Sequence, residues 1–119
     1  MWHVSVVPLP VENSDFRLHH KTSDRAFYDD ARKLAGTDEV LFVGPDGFLT
    51  EGSITALFVE RDGILLTPRL SRGALPSVLR RELIENGRAK EADLTIADLS
   101  ESFFVGSSVR GLIPAKKVA

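Results

Sequence analysis

At 119 residues, with 43% hydrophobic and 27% charged side chains, the sequence describes one soluble globular domain with a single core. A formal net charge of -2 offers no electrostatic footprint for nucleic acid, and the absence of cysteine excludes a disulfide framework, a thiolate metal site and a thiol nucleophile. The histidines, His3, His19 and His20, form no metal-ligand pattern. No apolar run approaches a bilayer span, and Met1-Trp2-His3-Val4 has neither the basic end nor the apolar stretch of a signal peptide, so a cytoplasmic chain without a membrane partner is expected.

In chain order, His3-Val4-Ser5-Val6-Val7 predicts a strand closed by Pro8-Leu9-Pro10, because β-branched residues favour the pleat and proline cannot donate to a ladder. Residues 11–20 form a polar connector. Ala26, Phe27, Ala31 and Leu34 then recur at helical spacing, which predicts a helix from Thr22 or Ser23 to Leu34, with Ser23 or Asp24 as cap and Gly36 as stop. Asp38 to Val43 reads as a strand, Gly44-Pro45-Asp46-Gly47 as a turn and Phe48 to Glu51 as the returning strand, so Glu51 stands at the end of a hairpin. Further strands are expected at Ile54 to Val59 and, after the Asp62-Gly63 turn, at Ile64 to Thr67.

Leu75-Pro76-Ser77 opens a second helix that runs to about Asn86, with Leu79, Leu83 and Ile84 on one face and Gly87 as stop. Leu94-Thr95-Ile96, Phe103-Phe104-Val105 and Leu112-Ile113 complete the set of strands. Two helices among about eight strands predict an α+β domain whose mixed sheet curls into a partial barrel.

Three features of this layout fit one chemistry. Lys21 stands just ahead of the first helix, Glu51 ends the hairpin, and Val78 and Leu79 lie in the first turn of the second helix. A lysine can form a Schiff base, a carboxylate can keep a heterocyclic nitrogen protonated, and a helix start can hold a phosphate. Together they describe a site for pyridoxal 5'-phosphate.

The segments His20-Lys21-Thr22-Ser23-Asp24-Arg25, Asp38-Glu39-Val40-Leu41 and Gly47-Phe48-Leu49-Thr50-Glu51-Gly52-Ser53 are followed by Leu66-Thr67-Pro68, Leu75-Pro76-Ser77-Val78-Leu79-Arg80 and Phe104 to Leu112. In order and spacing they resemble, over nearly the whole chain, the large domain of fold-type IV pyridoxal-phosphate enzymes, the class-IV aminotransferase family. The likeness is closest to its aminodeoxychorismate lyase branch.

This resemblance implies that Lys21 is the Schiff-base lysine and moves protons at the substrate carbon. It implies that Glu51 faces the pyridine nitrogen and that the backbone amides of Val78 and Leu79, with the hydroxyls of Ser108 and Ser107, bind the phosphate. Arg25 then meets the cofactor's phenolic oxygen or a substrate carboxylate, and Arg110 is a second carboxylate-binding candidate. The substrate class is a small amino compound. Two positions depart from the family pattern: Ser77 stands where glycine is usual and Ala56 where many relatives have asparagine. The family's smaller N-terminal domain has no counterpart, so residues 1–119 are expected to be the large domain alone. It is expected to form a homodimer or to pair with an N-terminal domain. The resemblance leaves open a lyase, an aminotransferase for branched-chain or D-amino acids, and an inactive assembly module.

Overall fold

Short runs of β-branched, leucine and phenylalanine residues, most of them bounded by glycine, proline or aspartate, set the architecture of this computed structural model, which describes residues 1–8, 30, 32–69, 77–100 and 102–118. The strands are β1 (Trp2–Pro8), β2 (Glu39–Val43), β3 (Leu49–Gly52), β4 (Ala56–Arg61), β5 (Ile64–Thr67), β6 (Ala89–Glu91), β7 (Phe103–Ser107) and β8 (Gly111–Lys117). They form one 8-stranded mixed sheet in the order β3-β2-β1-β8-β7-β4-β5-β6. Helix α1 (Val78–Glu85) makes the crossover between the parallel strands β5 and β6. Residues 32–35 are helical, and Gly36, at φ 69°, ends that segment with its N–H donated to the Arg32 carbonyl at 3.2 Å. The expected helix from 22 or 23 otherwise lies largely outside the described residues.

The sheet curls into a half-barrel. Its edge strand β3 bonds to the segment following the opposite edge strand, with the Leu49 N–H donated to the Leu94 carbonyl at 2.7 Å. Val4, Leu41, Leu57, Val59, Phe103, Val105 and Ala115 pack with Leu94 and Leu99 in one buried cluster. Ala56, Phe58, Leu65, Leu83 and Ala89 form a second cluster, joined by Leu79 and Ile84 of α1. β4 contributes alternate residues to the two clusters, as the period of a strand buried on both faces requires. Each large apolar side chain buried this way contributes about 1.5–3 kcal/mol, enough to penalise a one-residue slip strongly.

Two sequence expectations differ from the structure, and one strand has no counterpart among them. Leu94-Thr95-Ile96 is not a strand: Ile96–Leu99 is a 3-10 turn, because Asp98 accepts from the Thr95 N–H at 2.8 Å and thereby caps it. A strand without hydrophobic alternation, β6, takes the edge position, paired with β5 through Leu65–Ala89, Leu66–Lys90 and Thr67–Glu91. Pro114 does not end the last strand at Ile113, because pairing of β8 with β1 begins one residue later, at Ala115. Among the described residues no helix is long and apolar enough to cross a membrane, and no cluster of histidine and carboxylate side chains could hold a metal ion.

Candidate active site

The register places one set of strand ends together. Gly52 of β3 lies opposite Leu41 and next to the start of β2, while Val4 of β1 lies beside Glu39 and Trp2 beside Ala115 of β8. Ser107 of β7 pairs with Gly111 of β8, and Ala56 at the start of β4 pairs with Gly106. β5 ends at the same side, and α1 packs there through Leu79: a Cβ added to Gly106 would lie 2.9 Å from Leu79 Cδ2 and 2.6 Å from the Gly111 carbonyl oxygen. Glycine at position 106 is therefore what lets the helix start, the β7–β8 turn and the start of β4 come together.

Glu51 is 8% exposed and belongs to this end. The register between β2 and β3 shifts between the Val43–Leu49 and Leu41–Gly52 pairs, and this bulge lies beside Glu51. Bulges re-aim side chains at the rims of sheets.

At the start of α1, Ser77 is the N-cap and its Oγ accepts from the Arg80 N–H at 3.1 Å. The Ser77 carbonyl accepts the Arg81 N–H at 3.1 Å. The amides of Val78 and Leu79 precede these bonds and, among the described residues, have no partner. The first turn carries no acidic side chain to neutralise them. Two unpaired N–H groups at the positive end of a helix dipole form a donor set for a phosphate or carboxylate. The serine at the usual glycine position thus has a local use: its hydroxyl is spent on the third amide of the turn. Ala56, the other departure, is buried against Phe58 and the helix.

Ser107 ends β7 and Ser108 opens the β7–β8 turn. Ser107 Oγ accepts the Arg110 N–H at 3.2 Å, which leaves its own proton available, and Ser108 is exposed. Arg110 is also exposed, with its guanidinium carbon 5.4 Å from the centroid of the Trp2 ring, a cation–π contact at the rim of this end. The structure therefore brings Glu51, Val78, Leu79, Ser107, Ser108 and Arg110 to one end of the half-barrel. Lys21 and Arg25 lie outside the described residues.

Two groups at this end were missed as site residues in the sequence. Glu39 is fully buried, and its carboxylate accepts from the Val40 N–H at 2.8 Å, the Ser53 N–H at 2.9 Å, the Ile54 N–H at 3.0 Å and the Thr55 hydroxyl at 2.6 Å, as well as from the Ser53 hydroxyl. Arg80, 6% exposed, donates to the Pro68 carbonyl at 3.3 Å and pairs with Glu91. The signal for Glu39 was an acidic residue opening the apolar run Val40-Leu41-Phe42, with hydroxyl residues waiting at 53 and 55.

The donor set fits pyridoxal phosphate: paired amides for the phosphate, hydroxyls beside them and a shielded carboxylate at the same end of the sheet. Residues 4–118 match the family model described as amino-transferase class IV. The chain is 44% identical to the crystal structure of a "putative amino-acid aminotransferase" from Mesorhizobium loti, with a TM-score of 0.89 over 98% of this chain and 59% of that one. It is 32% identical to the aminodeoxychorismate lyase of Saccharomyces cerevisiae over 83% of this chain and 32% of that protein. A hypothetical aminotransferase from Mycobacterium tuberculosis, solved in a pyridoxal-phosphate-bound form, shares the fold at a TM-score of 0.83 and 22% identity, over 98% of this chain and 47% of that one. The chain thus spans about a third to three-fifths of the length of these proteins.

Proposed function

The chain belongs to the class IV amino-transferase family, and on that premise we propose that it supplies the pyridoxal-phosphate-binding part of an aminodeoxychorismate lyase, which releases pyruvate to give 4-aminobenzoate in folate synthesis. The observation that carries the cofactor reading is the meeting of a buried glutamate and a helix start with two unpaired amides at one end of the sheet. When bound, pyridoxal phosphate supplies an electron sink for the substrate carbon that bears the amine. The work of the chain's own residues then divides by position. Val78 and Leu79 amides and the Ser107 and Ser108 hydroxyls bind the phosphate. Glu51 holds a proton at the pyridine nitrogen, because a carboxylate beside that nitrogen favours its charged form. Lys21 anchors the cofactor and moves the proton at the substrate carbon. Arg25 and Arg110 bind carboxylate or the phenolic oxygen by charge-assisted hydrogen bonds.

The similarity to the yeast lyase and the run Ser108-Val109-Arg110-Gly111 support the lyase. The similarity to the Mesorhizobium loti protein supports a second reading, an amino-acid aminotransferase that uses the same cofactor contacts. Aminodeoxychorismate supplied without an amino acceptor separates them: pyruvate release is expected of the lyase, and strict dependence on a 2-oxo acid contradicts it. The cofactor reading is tested by borohydride reduction of the chain after addition of pyridoxal phosphate, followed by peptide mapping. The label is expected on Lys21 and is lost in Lys21→Ala; a label spread over surface lysines, unchanged in that variant, overturns the reading.

A further inference from the structure

We propose that Glu39 is a positioning residue of this site, whose buried carboxylate fixes the turn 52–55 and, through it, the carboxylate of Glu51. The inference rests on the reading of Glu51 as the residue facing the pyridine nitrogen. Glu39 is 0% exposed. One carboxylate oxygen accepts from Val40 N–H, Ser53 N–H and the Ser53 hydroxyl, the other from Ile54 N–H and the Thr55 hydroxyl. An ionised carboxylate has only acceptor sites, and donors surround this one on both oxygens. Among the described residues its partners are amides and hydroxyls, with no lysine or arginine paired to it.

Stability by itself is a poor reason for this arrangement. Burying a charge carries a desolvation penalty of several kcal/mol, and a well-packed apolar residue of similar volume is often neutral or better. A link between two strands is made more cheaply by ordinary turn residues. Backbone bonds already hold part of the turn, from the Ser53 N–H to the Val40 carbonyl at 3.2 Å and from the Gly52 N–H to the Thr55 carbonyl at 2.9 Å; the carboxylate adds a tie to Ile54 and to the hydroxyls of Ser53 and Thr55, at the point where the chain leaves Glu51. The same packing explains Gly52, since an added Cβ would lie 2.5 Å from Glu39 Oε2 and 2.9 Å from Thr55 Oγ1. The residue next to Glu51 is thus in direct contact with the Glu39 carboxylate. The turn's other end, through Ala56, is paired with Gly106 beside the helix start. A shift of this turn would move Glu51 relative to the phosphate-binding amides.

The test combines two readouts on the full chain: hydrogen exchange of the Ser53 and Ile54 amides without cofactor, and the dissociation constant for pyridoxal phosphate by equilibrium dialysis. Glu39→Gln keeps the volume but turns an amide N–H₂ toward donors. It is expected to accelerate exchange most at Ile54, whose amide is held by the carboxylate, and less at Ser53, whose amide keeps the Val40 carbonyl, and to weaken binding roughly ten- to a hundred-fold, the range of a lost charged hydrogen bond. Glu51→Gln is expected to weaken binding while leaving that exchange slow, and the double variant should bind no worse than Glu51→Gln alone. Thr55→Val, which removes one donor, shifts both readouts in the same direction by less and serves if Glu39→Gln does not fold. Additive losses in the double variant, or unchanged exchange in Glu39→Gln, overturn the positioning role. If Glu51→Gln leaves binding unchanged, or the chain binds no cofactor, the reading of the site fails and this role fails with it. That case is recognised by exchange that still rises in Glu39→Gln.

Discussion

At the end of the sheet formed by the Gly44–Phe48 and Asp62-Gly63 turns, polar groups are satisfied close to solvent. Gly44 N–H donates to the Phe48 carbonyl at 2.9 Å, and Arg61 reaches Asp98 at 2.8 Å with side chains 49% and 24% exposed. The opposite end is built from buried polar groups. Glu39, Glu51, Ser53, Thr55, Thr67 and Arg80 are each 8% exposed or less, and all lie at or next to the strand ends that face α1 and the β7–β8 turn. Buried polar and charged groups cost stability unless fully paired, so their concentration at one end marks where the fold gives up apolar packing to hold specific atoms in place. The far end serves the fold, and this end serves the site proposed above.

Substitutions that touch one end at a time separate the two roles. Gly106→Ala puts a methyl 2.6 Å from the Gly111 carbonyl oxygen and 2.9 Å from Leu79 Cδ2. Overpacking of this kind costs about 1–3 kcal/mol in urea denaturation, and the displaced helix start is expected to weaken pyridoxal-phosphate binding as well. Ser77→Ala removes the cap on the Arg80 amide and is expected to cost about 1 kcal/mol, whereas Ser77→Gly should cost only a few tenths.

Arg61→Ala, at the far end, should cost no more than about 0.5 kcal/mol and leave cofactor binding unchanged. Its signature is in acid. Burial pushes the Asp98 carboxyl up, but hydrogen bonds from the Thr95 backbone and from Arg61, with the Arg61 charge, bring it below its ordinary value of 3.8. A carboxyl lowered by folding contributes stability that is present above its unfolded value and is lost as pH falls through the lower folded value. Stability measured below pH 3.8 should therefore fall less steeply in Arg61→Ala than in the parent chain.

Much of this was legible in the sequence, for reasons that differ by residue. Periodicity and turn chemistry located β1 to β5, β7 and α1, because Val, Leu and Phe runs bounded by Pro, Asp-Gly and Gly leave few alternatives. Asp62 and Gly63 both adopt positive φ, as their turn requires. β6 was not legible because Ala89-Lys90-Glu91 has no hydrophobic alternation; it is a strand only because β5 offers an open edge after the helix crossover. The apolar Leu94 and Ile96 suggested a strand there, but the Asp98 cap on Thr95 bends the chain first. Glu51, Val78 and Leu79 were singled out by their spacing and by family resemblance. Glu39 was not, since its role depends on donors 14 to 16 residues away that only the folded turn brings to it.

The most direct test of the difference between the two ends is a titration of the labelled chain with pyridoxal phosphate, followed by amide NMR. Shifts are expected at Glu51, Ser53, Val78, Leu79, Ser107 and Ser108, with Gly47, Gly63 and Asp98 unmoved. Shifts centred on the Gly47 and Gly63 turns, or no saturable shift at the α1 start, would contradict that difference.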